Sequence, residues 1–191
     1  MAPTSLMILR PLRRDEWRAF RDHLLRLDPD DRTMRFCHAV NDVFVREHCE
    51  RAKRSGSLVI ACFVDDELRG AAEVTPLDGV WPLTAELAMS VEAAYQGQGV
   101  GTELLQSTLL AARNRCVAAV NVTCLLDNGR MLHLTRRLGA RIVVHHTAPP
   151  AQTPPPWRSE LTRVERAAQD GKAVFQARFQ FPVAQAQLHA G

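Results

Sequence analysis

Apolar positions follow two different periods along most of the chain, and the periods predict its elements. Continuous or alternating apolar runs are typical of strands, and apolar stripes at helical spacing are typical of helices. Strands are predicted over residues 6–12, 58–64, 68–75, 84–91, 118–126 and 141–146. Helices are predicted over 14–27, 41–54, the stretch from Leu104 to Ala112, and 128–138. Residues 28–31 are expected to end the first helix as a break, and residues 33–37 to form a short connector.

The predicted strand over residues 84–91 alternates most regularly. Ala85, Leu87, Met89 and Val91 face one side of it, and Glu86, Ala88 and Ser90 face the other. A carboxylate, Glu86, therefore stands on the second face of an otherwise apolar strand.

A glycine-rich segment, Tyr95-Gln96-Gly97-Gln98-Gly99-Val100-Gly101-Thr102, lies between this strand and the next helix. Glycine permits the positive φ angles of a tight turn and lets a ligand approach the backbone. The first turn of the helix adds unpaired N–H groups and the positive end of the helix dipole. The segment therefore predicts a phosphate or pyrophosphate site.

Spacing decides between the known kinds of phosphate loop. A P-loop needs G-x-x-x-x-G-K-[ST], but here Gly101 is followed by Thr102 and Glu103. The dinucleotide fingerprint G-x-G-x-x-G needs its third glycine at position 102, which is Thr102. Both interpretations are disfavoured, and a glycine turn without a ligand remains an alternative.

Composition narrows the class of protein. The 191 residues are 46% hydrophobic and 24% charged, with a net charge of +3 and basic residues interleaved with acidic ones. These values are typical of a globular domain, and we expect neither nucleic acid nor membrane as a partner. The five cysteines are an odd number without a C-x-x-C pair, which argues against a disulfide framework or a metal site and favours the cytoplasm. Residues 1–14 lack the apolar segment of a signal peptide, and no apolar run approaches the ~18 residues of a membrane span.

The pattern [QR]-x-x-G-x-[GA] is met by Gln96, Gly99 and Gly101, and the segment from Asn128 to Ala140 resembles an N-x-x-[AM]…L-G-[FA] helix. With the predicted order β-α-α-β-β-β-loop-α-β-α-β, the sequence over about 57–143 resembles the GNAT (Gcn5-related) N-acetyltransferases. The resemblance implies a mixed α/β fold with a central, mostly antiparallel twisted sheet flanked by helices. It also implies transfer of acetyl from acetyl-CoA to the amine of a small molecule or of a protein lysine, by direct attack of that amine on the thioester. We expect no metal cofactor.

The resemblance assigns a donor site. The edge of the strand at Met89, Ser90 and Val91 would bind the pantetheine amides and polarise the thioester. Asn128 would either bind pantetheine or only cap its helix. The loop residues that would bind the pyrophosphate are Gln96, Gly97, Gln98, Gly99, Val100, Gly101 and Thr102.

The resemblance also suggests a general base. Glu86 in the segment A-E-L-A is the first candidate, and Glu73 on the neighbouring strand is the second. Thr135 stands where many family members have the tyrosine that protonates the leaving thiolate, and Tyr95 is the only tyrosine in the chain. Two alternatives stay open: a non-catalytic CoA-binding sensor or interaction module, which would not need Glu86, and transfer of a larger acyl group.

The C-terminal part departs from the resemblance. We expect a catalytic domain over residues 1–147, a Pro-rich linker over 148–156 and a helical appendage over 157–191. A helix is predicted from Trp157 to about Phe181, and no second strand of the family's final hairpin is predicted. The sheet edge left open by that strand predicts a homodimer.

Overall fold

The computed structural model describes residues 6–77, 83–145 and 172–181. Its seven strands in these ranges are β1 (Met7–Pro11), β2 (Leu58–Val64), β3 (Glu67–Pro76), β4 (Thr84–Val91), β5 (Ala119–Leu125), β6 (Arg141–His145) and β7 (Val174–Gln180). Its helices there are α1 (Trp17–Arg26), α2 (Pro29–Phe36), α3 (Asp42–Ser55), α4 (Val100–Arg113) and α5 (Gly129–Arg137).

The strands form one sheet in the order β1-β2-β3-β4-β5-β7-β6. Every neighbouring pair is antiparallel except β4 and β5, which run parallel. A parallel pair needs a crossover connection, and here α4 provides it. The mixed, mostly antiparallel sheet predicted by the resemblance is confirmed.

Each face of the sheet carries its own hydrophobic core. On one face, Leu87 of β4 and Val120 of β5 pack against Leu104 and Leu105 of α4. On the other, Ala61 of β2 and its neighbours pack against α1 and α3. The alternation of β2 explains this division, because successive side chains of a strand point to opposite faces: Ile60 and Cys62 belong to the first core, and Val59 and Ala61 to the second.

The expected break at residues 28–31 is instead the start of a helix. The Asp28 side chain accepts a hydrogen bond from the Asp31 N–H at 2.8 Å, and Pro29 occupies the first helical position. Proline fits there because that position has no intrahelical acceptor for its missing N–H. Residues predicted as a break and a connector therefore form α2, a correction that matters for the site.

The prediction of a C-terminal helix is wrong over the part of it that the structure describes. Residues 174–180 form β7, which pairs with β5 on one side and β6 on the other. Phe175, Ala177 and Phe179 are buried in the same core as α4. β7 is thus the strand that the sequence analysis did not find, and it occupies the edge of β5. The linker and the remainder of the predicted appendage lie outside the described residues.

Candidate active site

The site begins where β4 and β5 separate. Their ladder runs from Thr84–Ala119 to Leu87–Val122, whereas β4 stays paired with β3 as far as Val91. Beyond Leu87, the edge of β4 that faces β5 is released from the ladder. Backbone amides along such an edge can bind the amides of an extended ligand.

The glycine loop continues from this opening into α4. Gly97 and Gly99 have φ angles of +73° and +87°, which side-chain-bearing residues rarely adopt. A Cβ placed on either would meet no protein atom within 4 Å, so both face open space. The amides of Thr102 and Glu103 donate to the Gly99 carbonyl. Val100 and Gly101 precede them in the first turn, where N–H groups lack intrahelical acceptors.

Gln96 holds the loop in place through its side chain. Its Nε2 donates to the carbonyl of Val91 and to Oδ2 of Asp31, both at 2.8 Å. One amide thus joins the loop to the end of β4 and to the start of α2.

A cavity of about 630 Å³ lies at this junction. It brings together most of the predicted donor-site residues. These are Met89, Ser90, Val91, Gln96, Gly97, Gly99, Gly101, Thr102 and Asn128. Gln98 and Val100 are not among the lining residues: the Gln98 amide donates to the Ala94 carbonyl at 2.7 Å, and Val100 is buried in the core.

One wall of the cavity is formed by α5. Asn128 caps this helix by accepting a hydrogen bond from the Met131 N–H at 3.0 Å, and it also lines the cavity. The sequence analysis missed the side chains that follow it: Arg130, His133, Leu134 and Arg137. Their spacing of three, one and three residues places them on one helical face, a signal that could have found them.

The opposite wall comes from α2, which contributes Asp30, Asp31, Met34 and Arg35. These residues also share one helical face. Burial raises the pKa of Asp31, with a further contribution from the nearby charge of Asp28. This wall was not predicted, because residues 28–37 were expected to form a break and a connector instead of α2.

The second base candidate, Glu73, is buried and paired. Its Oε2 accepts from Arg35 Nη2 at 2.6 Å and lies 2.8 Å from His48 Nε2. Glu73 does not line the cavity, although its partner Arg35 does. Through these contacts, the Glu73 carboxylate joins β3 to α2 and α3.

The first base candidate, Glu86, belongs to a polar row across the sheet. Its register partners are Thr75 on β3 and Asn121 on β5, and Asn121 Oδ1 accepts from Arg178 Nη1 at 3.1 Å. Glu86 is half-buried and precedes the last residue of the β4–β5 ladder. It does not line the cavity, but it shares a strand face with Ser90, which does.

Thr135, at the position of the family's tyrosine, is fully buried on α5. Its hydroxyl lies 2.9 Å from the Met131 carbonyl and 3.1 Å from the Leu132 carbonyl, and it donates within its own helix. The structure therefore directs this hydroxyl to the helix backbone.

The sequence matches the model of the Acetyltransferase (GNAT) family over residues 10–140. The chain belongs to this family. As a GNAT acetyltransferase it is an acetyl-CoA-dependent acyltransferase, which confirms the class predicted from the glycine loop. No curated relative matches the sequence significantly.

Solved structures share the GNAT fold at low identity. The GNAT domain of S. lividans PAT superposes with a TM-score of 0.66 at 17% identity, covering 95% of this chain and 99% of that one. The ribosomal-protein-S18-alanine N-acetyltransferase from Escherichia coli gives 0.66 at 14%, covering 96% and 99%. The Salmonella typhimurium protein yncA, solved with acetyl-CoA, gives 0.58 at 16%, covering 91% and 93%.

The described residues were also compared with the requirements of a membrane span and of a metal site. None of the helices there has the length and apolar character needed to cross a membrane. No group of three or more His, Cys, Asp or Glu residues in these ranges is arranged to hold a metal ion.

Proposed function

We propose that this GNAT acetyltransferase transfers acetyl from acetyl-CoA to the amine of a small molecule or of a protein lysine. The observation that carries the proposal is the opening between β4 and β5, continued by the glycine loop at the start of α4. The open space beside Gly97 and Gly99 fits a phosphate group, and the cavity extends from there to Ser90.

The donor supplies an acetyl thioester, and the chain's own groups would bind and orient it. The loop amides and the α4 dipole stabilise the pyrophosphate charge. Arg130 and Arg137 of α5 add positive charge to the same cavity. The released edge of β4 after Leu87 would bind pantetheine, and an N–H of that edge would stabilise the carbonyl oxygen as charge develops on it.

Glu86 is the proposed general base. Amines are protonated near neutral pH, so one proton must leave the ammonium before its nitrogen can attack. Glu86 is half-buried and lies on the same strand face as Ser90, a residue that lines the cavity. From this position it would accept the proton through an ordered water.

Glu86→Gln tests the base. General-base catalysis is typically worth 10²–10⁴-fold, so we expect kcat to fall by about 10²-fold or more with little change in the affinity for CoA. Release of CoA is measured with a panel of amines and lysine peptides, and CoA affinity by calorimetry. Glu50→Gln, an exposed carboxylate of α3, is the matched control and should keep wild-type activity.

The outcomes separate the alternatives. Unchanged kcat in Glu86→Gln would show that another group is the base. If wild type binds CoA but acetylates none of the amines, the non-catalytic sensor or interaction module is the better description. A longer acyl-CoA that competes better than acetyl-CoA would replace acetyl as the transferred group.

We also propose a cytoplasmic location and a homodimer. All five cysteines are free thiols, and four of them are buried, which suits a reducing compartment. Cell fractionation that places the protein outside the cytosol would contradict the location. Support for the homodimer comes from the edge strand β6, where the apolar side chains Val143 and Val144 are exposed.

A further inference from the structure

A hydrogen-bonded series of three side chains, Ser90, His23 and Glu92, leads from the cavity into the interior of the protein. Ser90 lines the cavity, and its Oγ lies 2.9 Å from His23 Nε2. His23 belongs to α1 and has no exposed surface. Its other ring nitrogen, Nδ1, lies 3.0 Å from Glu92 Oε1. The order hydroxyl, imidazole, carboxylate is the arrangement by which proteins activate a hydroxyl group.

The charged groups around His23 and Glu92 determine the protonation state of this imidazole and this carboxylate. Burial opposes ionisation of Glu92, but hydrogen bonds from His23, Arg26 and Arg69 outweigh it and lower its pKa to about 2. Burial is also the main cause that lowers the pKa of His23, against the attraction of Glu92 and with added repulsion from Arg26 and Arg35. At neutral pH the carboxylate is therefore ionised and the imidazole is neutral.

This state fixes the direction of each hydrogen bond. Ionised Glu92 only accepts, so Nδ1 of His23 carries the proton and donates it. Nε2 is then the acceptor, and the Ser90 hydroxyl donates to it. Ser90 is a lining residue of the cavity, and its hydrogen bond to His23 uses only its proton, so the lone pairs of Oγ remain able to accept one.

Acyl transfer to an ammonium group moves two protons. The first leaves the nitrogen before attack, which is the step proposed for Glu86. The second leaves the nitrogen after the new C–N bond has formed, and one proton must reach the sulfur as the C–S bond breaks. Thr135 donates within α5, and the Tyr95 ring lies beneath the Arg69 guanidinium at 5.4 Å. Among the described residues that line the cavity, only Ser90 and Thr102 carry a hydroxyl group.

We propose that Ser90, His23 and Glu92 form a proton relay that carries the second proton from the amine nitrogen to the leaving sulfur. Ser90 Oγ accepts the proton from the nitrogen while its own proton passes to His23 Nε2, and Glu92 stabilises the resulting imidazolium. As the C–S bond breaks, His23 returns a proton to Oγ and Ser90 donates one to the thiolate. Ser90 is the catalytic residue, His23 and Glu92 act through it, and the relay ends in its starting state. The proposal rests on the proposed acetyl transfer.

Ser90→Ala removes the relay at its contact with substrate. We expect kcat to fall about 100-fold while the KM of acetyl-CoA stays within about twofold. Ser90→Thr keeps a hydroxyl and should recover most of the rate. Ser107→Ala, on α4 outside the cavity lining, is the matched control and should resemble wild type. Thermal melting and CoA calorimetry verify that each variant is folded and binds donor.

The wild-type enzyme supplies a second test that needs no variant. The single-turnover rate is measured in mixtures of H₂O and D₂O. Because two protons move together through Ser90, we expect a curved dependence on the deuterium fraction. A linear dependence, or a Ser90→Ala variant with unchanged kcat, would overturn the relay while leaving acetyl transfer intact. A fall that Ser90→Thr does not recover would overturn it too, and a wild type that acetylates no amine would overturn the proposed function and the relay together.

Discussion

Gly99 shows how a single residue can serve the backbone and the ligand at once. Its φ of +87° costs a side-chain-bearing residue about 1–2 kcal/mol, and the space where a Cβ would lie is open. Gly56 at the end of α3 has a φ of +70° and the same open surroundings, but it does not line the cavity. A substitution at either glycine should strain the backbone, but only a substitution at Gly99 should also obstruct a ligand in the cavity.

We expect Gly99→Ala and Gly56→Ala to lose similar stability, about 1–2 kcal/mol, in urea unfolding. Only Gly99→Ala should raise the KM of acetyl-CoA, by about tenfold, because its methyl group enters the space assigned to the donor phosphates. If both variants show the wild-type KM, the loop does not bind the donor.

At the same scale, the sequence predicted the position of Gln96 but not what its side chain does. The pattern around Gly99 and Gly101 identifies the loop by local spacing alone. The partner of the Gln96 amide, Asp31, lies 65 residues away in the sequence on a helix that was not predicted. Contacts of this range depend on how elements pack, which local spacing does not encode.

Among the elements, those with one clear signal were predicted well. β2 and β4 have the predicted ends, since β2 is a continuous apolar run and β4 alternates regularly. α2 was missed because Asp28-Pro29 was interpreted as a break, although a cap followed by proline is also the start of a helix.

In β7, Phe175, Ala177 and Phe179 alternate as in a strand, but Phe175 also fitted a helical stripe with earlier residues. The packing of β7 between β5 and β6 decides between the two patterns, and that packing depends on residues about 50 positions earlier.

The cavity-facing side of α5 provides a prediction about donor binding. Arg137 lines the cavity, whereas its neighbour Arg136 does not, and both side chains are exposed. Replacing either arginine by glutamine changes the net charge equally. Only Arg137 is placed beside the cavity, and the attraction between opposite charges weakens with distance and with salt, so Arg137 should attract the donor phosphates more strongly.

We expect Arg137→Gln to raise the KM of acetyl-CoA about fivefold, equivalent to about 1 kcal/mol, with kcat nearly unchanged. Its KM should also depend less on salt concentration than that of wild type. Arg136→Gln should match wild type in both measurements. Equal effects of the two variants would indicate a general charge effect and would remove α5 from the donor site.

On the scale of the whole molecule, the unit from β4 through the glycine loop and α4 to β5 could be predicted as a site because its parts are contiguous in sequence. The wall contributed by α2 could not, because it meets this unit only through the fold. For α5, the sequence indicates a shared helical face after Asn128, but only the fold shows that this face lines the cavity. Glu86 illustrates the difference: its strand and face were predicted, but its register with Thr75 and Asn121 is a property of the assembled sheet.

The assembled sheet changes the reason for expecting a homodimer. β7 fills the edge of β5 that was thought to be open, so a partner is not needed there. Within the described ranges, the terminal strand on that side is β6, where Val143 and Val144 are 48% and 37% exposed. Exposed apolar edge strands tend to pair with another chain. β6 is thus the edge at which we expect two copies to meet.

Light scattering should accordingly give about 43 kDa, twice the 21.3 kDa of the chain. Lysine at a β6 edge position should disfavour pairing by placing like charges across a symmetric interface, so Val143→Lys should shift the mass toward one chain. Leu110→Lys, which replaces an exposed apolar residue of α4, is the control and should remain dimeric. A wild type of 21.3 kDa at micromolar concentration would contradict the homodimer, and a dimeric Val143→Lys would place the interface elsewhere.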